Sequence, residues 1–262
     1  MGELNNNNYF SPESMKEYFS VSQFKSFMQC EARTMAELNG EYKQPTSKAL
    51  LMGSYVDAYF SDELEGFSAK HPEIYKRDGS LKADYVKCDQ MIDRARRDEM
   101  FMRYMDGEKQ TIMTGELFDE PWKIKMDAYH PGDMIVDLKC MKDIKPIYQQ
   151  GEWHTFIDAW KYDLQLYVYQ QIEAQNSKDG KLLPCYLAVI TKEDEPDIEI
   201  IEVPQWRLNS MAALVEHYLP YYASIKAGSR EPERCEDCAY CKRTKVLTEP
   251  KGYDELVEEI VR

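Results

Sequence analysis

Two aspartates and a lysine, Asp127, Asp137 and Lys139, lie close enough along the chain to share one small volume. Carboxylates are hard oxygen ligands suited to Mg²⁺ or Mn²⁺, and a cation held by them can polarise a phosphodiester and generate hydroxide from bound water. An ammonium beside that water can orient it and offset the charge that develops on the phosphate. The segment from Trp122 to Lys139 reads as two strands: Lys123-Ile124-Lys125-Met126-Asp127 and Met134-Ile135-Val136-Asp137-Leu138-Lys139 alternate, and His130-Pro131-Gly132-Asp133 has turn chemistry. Side chains two apart on a strand share a face, so Asp137 and Lys139 point the same way. An exposed strand ion pair is the bland alternative. Against it, the pair ends the apolar run Met134-Ile135-Val136, where charge is costly unless paired or used.

Further groups could join this chemistry. Gln165 and Tyr169, four apart on an expected helix, put an amide and a phenol on one face, within reach of a phosphate or a metal-bound water. Asp57 shares a helix face with Gly53 and offers a third carboxylate; Glu116 offers a fourth, as a second-metal or outer residue. His71, His130, His154 and His217 are scattered without metal-binding spacing. A separate constellation is Cys235-Glu-Asp-Cys238-Ala-Tyr-Cys241, whose thiols recur every three residues and can wrap one metal centre. Cys30 is the candidate fourth ligand, because Cys88, Cys140 and Cys185 stand in ordinary helix and strand settings. An all-thiolate site suits a [4Fe-4S] cluster or Zn²⁺, and free thiols are the remaining reading.

The elements that must position these groups follow from periodicity. Residues 20–40 read as one helix, opened by Ser20 with Gln23 as a capping box and stopped by Gly40, with Cys30 inside it. A second helix starts near Thr46 or Ser47 and carries Asp57. Residues 62–81 read as loop and 82–105 as a long charged helix. Strands at 111–118, 122–129 and 134–139 form an antiparallel meander. A loop with Pro146 and Gly151 precedes a helix over 158–175, strands at 182–191 and 197–203, and a helix over 206–227 kinked at Pro220. An acidic C-terminal helix closes the chain. The order predicts an α/β fold with a mixed sheet.

The chain has 262 residues, 43% of them hydrophobic, which suffices for one sizeable domain, expected over 20–245 between a flexible segment 1–19 and a helical tail 246–262. No apolar run of about eighteen residues exists and the N-terminus lacks signal-peptide character, so no membrane partner and a cytoplasmic location are expected. Seven cysteines, an odd number, read as thiols or metal ligands rather than a disulfide framework. A net charge of −14 argues against loose polyanion binding through bulk charge. A local cluster such as Arg94, Arg96 and Arg97 could line a DNA path or be a solvated helix face. The absence of GxxxxGK[ST] excludes a full helicase-nuclease.

GSYVDAYF with Asp57, then Asp127, then IVDLK with Asp137 and Lys139, then QLYVY from Gln165 to Tyr169 resembles the PD-(D/E)xK nuclease superfamily, its RecB-like branch and phage RecE-type exonucleases, over roughly residues 20–245. The resemblance implies a restriction-endonuclease-like core in which Asp57, Asp127 and Asp137 hold Mg²⁺ or Mn²⁺, Lys139 serves the attacking water, and Gln165 and Tyr169 form the QxxxY pair. Asp57 stands where RecB-like enzymes usually carry a histidine. The cysteines resemble the iron-sulfur staple of AddB-type helicase-nucleases and CRISPR-associated RecB-like nucleases, implying a structural [4Fe-4S] cluster; the trailing C-x2-C-x2-C departs from their longer last gap. The implied function is exonucleolytic hydrolysis of linear double-stranded DNA in phage or prophage recombination, with a single-strand annealing protein as partner; a subunit this acidic would need a homo-oligomeric ring or a local basic groove to hold DNA. The alternatives are a catalytically silent nuclease-fold module that binds DNA or a partner, and a CRISPR-associated-type trimming nuclease.

Overall fold

Alternating segments build the sheet. The computed structural model describes residues 4–149, 151–250 and 252–253. Strand β1 (Glu108–Leu117) pairs antiparallel with β2 (Glu120–His130), and β2 with β3 (Met134–Met141) around a turn where Gly132 takes φ +73°. That conformation suits a residue without Cβ. A short hairpin, β4 (Ile147–Gln149) with β5 (Glu152–His154), stands apart in the segment expected as loop. Strand β6 (Cys185–Thr191) lies parallel to β3 from Ile135↔Cys185 to Met141↔Thr191, and β7 (Ile198–Val203) pairs antiparallel with β6. Among the described residues the result is a five-stranded mixed sheet, order β1-β2-β3-β6-β7, flanked by helices, the α/β nuclease-type architecture expected.

Two apolar layers sandwich the sheet. On one face, Phe24 and Phe27 of α2 (Val21–Gln29), Leu164 and Val168 of α9 (Tyr162–Asn176), and Leu219 and Tyr222 of α11 (Ala212–Lys226) pack on Trp122, Ile124 and Leu187. On the other, Val56 of α4 (Lys48–Phe60), Met91 of α6 (Ala83–Arg96) and Phe101 of α7 (Glu99–Met105) pack on Val136, Leu138 and Ile190. Each such side chain contributes roughly 1.5–3 kcal/mol by leaving water. β3 is central and covered on both faces, which explains its near-continuous apolar run and makes Asp137, only 1% exposed, the exception in it.

Several helices are shorter than their periodicity suggests. The helix expected over 20–40 breaks at Cys30, which is extended (φ −168°, ψ 108°) and separates α2 from α3 (Glu31–Leu38). Ser20 does cap α2, accepting from the Gln23 amide, but the Gln23 side chain donates to Met15 O rather than completing a box. The helix expected over 82–105 divides at Asp98, whose carboxylate accepts from Phe101 N and starts α7. The helix expected over 158–175 divides at Lys161, left-handed at φ +52°, into α8 (Phe156–Trp160) and α9. The expected loop 62–81 holds α5 (Leu64–Lys70) and a 3₁₀ turn whose Ile74 is fully buried.

The segment expected to be flexible is instead packed: α1 (Pro12–Glu17) lies between buried Tyr9 and Phe19, Phe19 bridges Trp122, and Lys123 Nζ donates to Ser14 Oγ at 2.7 Å. Helix α10 (Gln205–Asn209) precedes α11, which contains Pro220, and α12 (Ala239–Arg243) carries Cys241. Residues 246–250 of the expected tail helix are not helical, and most of the remainder lies outside the described residues. Arg96 and Arg97 are exposed, Arg96 pairing with Asp93, as a solvated helix face requires. Among the described residues no helix is long and apolar enough to cross a membrane.

Candidate active site and cysteine centre

The pairing of β2 with β3 covers only Ala128↔Val136, Tyr129↔Ile135 and His130↔Met134. Where it stops, the Leu138 amide donates instead to Asp127 Oδ2 at 2.8 Å. Asp127 therefore fills the gap between two parting strands, and the sheet opens at this point to groups from both faces.

Asp137 and Lys139 alternate with Val136 and Leu138 and so face α9. They form an ion pair there. Gln165 Nε2 donates to Asp137 Oδ1 at 2.7 Å and to the Tyr169 hydroxyl at 3.0 Å. The Lys139 ammonium lies 4.9 Å from the centroid of the Tyr162 ring, and Lys25 Nζ lies 5.3 Å from the same ring. Tyr162, Gln165 and Tyr169 follow one another at i, i+3 and i+7 on one helix face. That spacing is a signal from which Tyr162 could have been found. From the opposite layer α4 presents Asp57. Gln110 Nε2 donates to Asp57 Oδ1 at 3.3 Å and to Asp127 Oδ1 at 3.5 Å.

Gln110 gives no sequence signal, yet it links the two carboxylates. It is left-handed at φ +50°, a conformation costing a side-chain-bearing residue about 1 kcal/mol or more, inside an otherwise regular strand. Gly53, one turn before Asp57, is less constrained than its sequence position suggests, since a Cβ there would meet only Cys140 Cβ at 4.0 Å.

The electrostatics are those of crowded acids. Burial raises the Asp127 carboxyl well above the usual range, and Asp137 and Asp57 push it further. Burial also raises Asp57, with Lys125 opposing and Asp137 adding to the shift. Burial alone would lower the Lys139 ammonium, but Asp137 and Asp127 outweigh it and hold the group above its ordinary value. The Tyr169 phenol is raised by burial first and Asp137 second, so it stays a proton donor. Lys25 is pushed down to about 8, chiefly by burial and next by Lys139. Buried Asp137 Oδ2 makes no hydrogen bond beside its ion pair. Acids that repel one another, with an oxygen left short of donors, form a hard donor set fit for a divalent cation. Glu116 does not join them: it is exposed beside the β1–β2 turn, opposite Pro121, with its backbone amide bonded to Gln175.

The four proposed cysteine ligands do come together. The Cys30–Cys241 sulfurs are 3.5 Å apart, Cys30–Cys238 3.8 Å and Cys235–Cys241 3.9 Å. Among the described residues this is the group of His, Cys, Asp or Glu whose ligand atoms all lie within 4.8 Å of one another, and it can bind a metal. The break between α2 and α3 falls at Cys30, the residue that brings the N-terminal thiol to this group. Ala32 N donates to Glu233 O at 3.0 Å and Glu233 N to Glu31 Oε2 at 2.8 Å, docking the C-terminal segment on α3. Cys88, Cys140 and Cys185 lie outside this group.

The profile of the PDDEXK-like domain of unknown function DUF3799 matches residues 20–244. The chain belongs to this PDDEXK-like family. The crystal structure of a "Putative exonuclease" from Eubacterium rectale is similar to it throughout, with 44% identity, a TM-score of 0.94 and 98% of each chain covered. The structure of SSO0001 aligns at 12% identity and a TM-score of 0.28, over 75% of this chain and 87% of that one, too distant to carry an argument. No curated protein matches. Membership is in a PDDEXK-like family, and PDDEXK nucleases generally use divalent metals.

Proposed function

We propose that the protein is a divalent-metal-dependent exodeoxyribonuclease that hydrolyses linear double-stranded DNA from its ends. The observation that carries the reading is the joining of Asp137, Lys139, Gln165 and Tyr169 on one face of β3, beside Asp127 at the parting of β2 and β3. Asp57, Asp127 and Asp137 would hold Mg²⁺ or Mn²⁺. When bound, such a cation polarises the phosphodiester and lowers the pKa of a water.

The chain's own groups then have distinct tasks. Lys139, kept protonated by its acids, orients the attacking water and offsets charge on the phosphate. Gln165 fixes the Asp137 carboxylate through its amide. Tyr169 offers a hydroxyl proton to a phosphate oxygen. The name of the 44%-identical relative supports exonuclease over a silent binding module.

A cleft of about 710 Å³ adjoins Tyr162 and is lined by Lys25 and Lys161, and by Arg207, which is already paired with Asp158 of the same lining and with Asp163. It supplies a local cationic approach that the net charge of −14 does not. We assign the DNA path to this cleft in preference to Arg94, Arg96 and Arg97. A role in phage or prophage recombination beside an annealing protein rests on the RecE-type resemblance; a cytoplasmic location, and a homo-oligomeric ring that would help so acidic a subunit hold DNA, complete the proposal.

End-labelled linear duplex and closed circular duplex, each with Mg²⁺, Mn²⁺ or chelator, test it. Loss of linear DNA with metal and survival of circular DNA are expected. Survival of linear DNA in every condition would remove the reading, and cutting of the circle would convert it to an endonuclease. Mass measurement in solution decides the ring.

A further inference from the structure

The iron-sulfur cluster implied by the cysteine resemblance does not fit the sulfurs of this chain. A four-iron cubane puts each thiolate on a different iron, with irons and sulfides filling the space between them, so its four thiolate sulfurs stand well apart. Here the sulfurs are almost in mutual contact, at 3.5, 3.8 and 3.9 Å, with all four inside 4.8 Å. They are also too far apart for disulfides, whose sulfurs are about 2.05 Å from one another. A single zinc ion bonded tetrahedrally to sulfur at about 2.3 Å requires sulfur-to-sulfur edges of about 3.8 Å. We infer that Cys30, Cys235, Cys238 and Cys241 bind one Zn²⁺ as a closed tetrathiolate.

The surroundings agree with a compact anionic centre. The Cys238 amide donates to Cys235 Sγ at 3.3 Å and the Cys241 amide to Cys238 Sγ at 3.4 Å, so backbone N–H groups already stabilise charge on two of the thiolates. Glu236, left-handed at φ +56°, turns the chain between the first two trailing ligands. Arg234 and Lys242 stand beside the motif, Arg234 donating to Cys241 O at 2.6 Å and Lys242 paired with Asp237. Four protein ligands leave zinc no open position, and zinc has no redox chemistry, so the centre holds structure and takes no part in electron transfer.

The full-length protein should be produced in iron-supplemented medium, purified anaerobically, and its metals and absorption spectrum measured. One zinc per chain in a colourless protein is expected, together with visible d–d bands when Co²⁺ is exchanged for zinc. About four irons per chain with a brown charge-transfer spectrum would overturn the inference, as would full reaction of these thiols in native protein without a chelator. Cys235→Ser, at the exposed ligand, should weaken zinc retention against a competing chelator at least tenfold. If that variant fails to fold, chelator competition on the wild-type chain gives the same reading, and instantaneous release of zinc would count against a closed site.

Discussion

The carboxylate cleft and the cysteine centre both gather residues from distant parts of the chain, but in opposite energetic states. The cysteines have converged, with sulfurs in near contact and backbone donors in place. The carboxylates have not: Gln110 stands between Asp57 and Asp127, and Lys139 engages Asp137. Burial and mutual repulsion raise both Asp57 and Asp127, and Gln110 carries backbone strain. One centre stabilises the fold, whereas the other is stabilised by it, and that is the division expected between a structural and a catalytic site.

The largest effect that would break this contrast comes from the cysteine side. Stripping the metal, or Cys241→Ser, removes a clasp spanning most of the chain and should cost about 5 kcal/mol, the scale for closing a long loop; urea melts with and without chelator measure it. Next, Asp137→Asn and Lys139→Ala should each lower DNA hydrolysis by about 10³-fold or more; Asp137→Asn should leave the melting temperature nearly unchanged, reversing the pattern of the cysteine variant, whereas Lys139→Ala strands buried Asp137 without its cation and should lower it. Retained cutting in either would remove the site assignment.

A smaller effect has the opposite sign. The raised Asp127 carboxyl holds its proton more tightly folded than unfolded, so without metal stability falls as pH rises from the usual carboxylate range through the raised value. Asp127→Asn should therefore stabilise metal-free protein at neutral pH by about 1–2 kcal/mol, abolish cutting, and flatten the pH dependence of melting. Gln110→Gly should relieve strain, gaining about 1 kcal/mol or less, while raising the metal concentration needed for half-maximal activity. Glu116→Ala should change stability by no more than about 0.5 kcal/mol and leave cleavage rates alone; a large loss would return Glu116 to the site.

How much of this was readable from sequence depended on whether a feature was written in local periodicity. The three meander strands and the shared face of Asp137 and Lys139 were, because alternation and the Pro-Gly turn specify them directly. The helix breaks at Cys30 and Lys161 were not. Apolar spacing runs through both, and each is imposed from outside: at Cys30 by the thiol's distant partners, at Lys161 by anchoring on either side, where Arg207 pairs with Asp158 and Asp163. Gln110 was invisible for the same reason, since its role arises from a φ angle and from where β1 passes α4. The packing of residues 4–19 was hidden because the tract is polar by composition, and its few anchors, Tyr9 and Phe19, bury against Trp122 and Lys123 far along the chain.

The meeting of Cys30 with the trailing cysteines also sets an order of events during synthesis. Asp57, Asp127, Asp137 and Lys139 all lie between Cys30 and Cys235 in sequence and are made before the clasp can shut. Until Cys241 has left the ribosome, the extended residue between α2 and α3 lacks its partners and the two helices are free to run together as the single helix that their periodicity favours. Nascent chains stopped short of residue 241 should therefore show a continuous helix over 21–38, with the kink arriving only as the last ligand does.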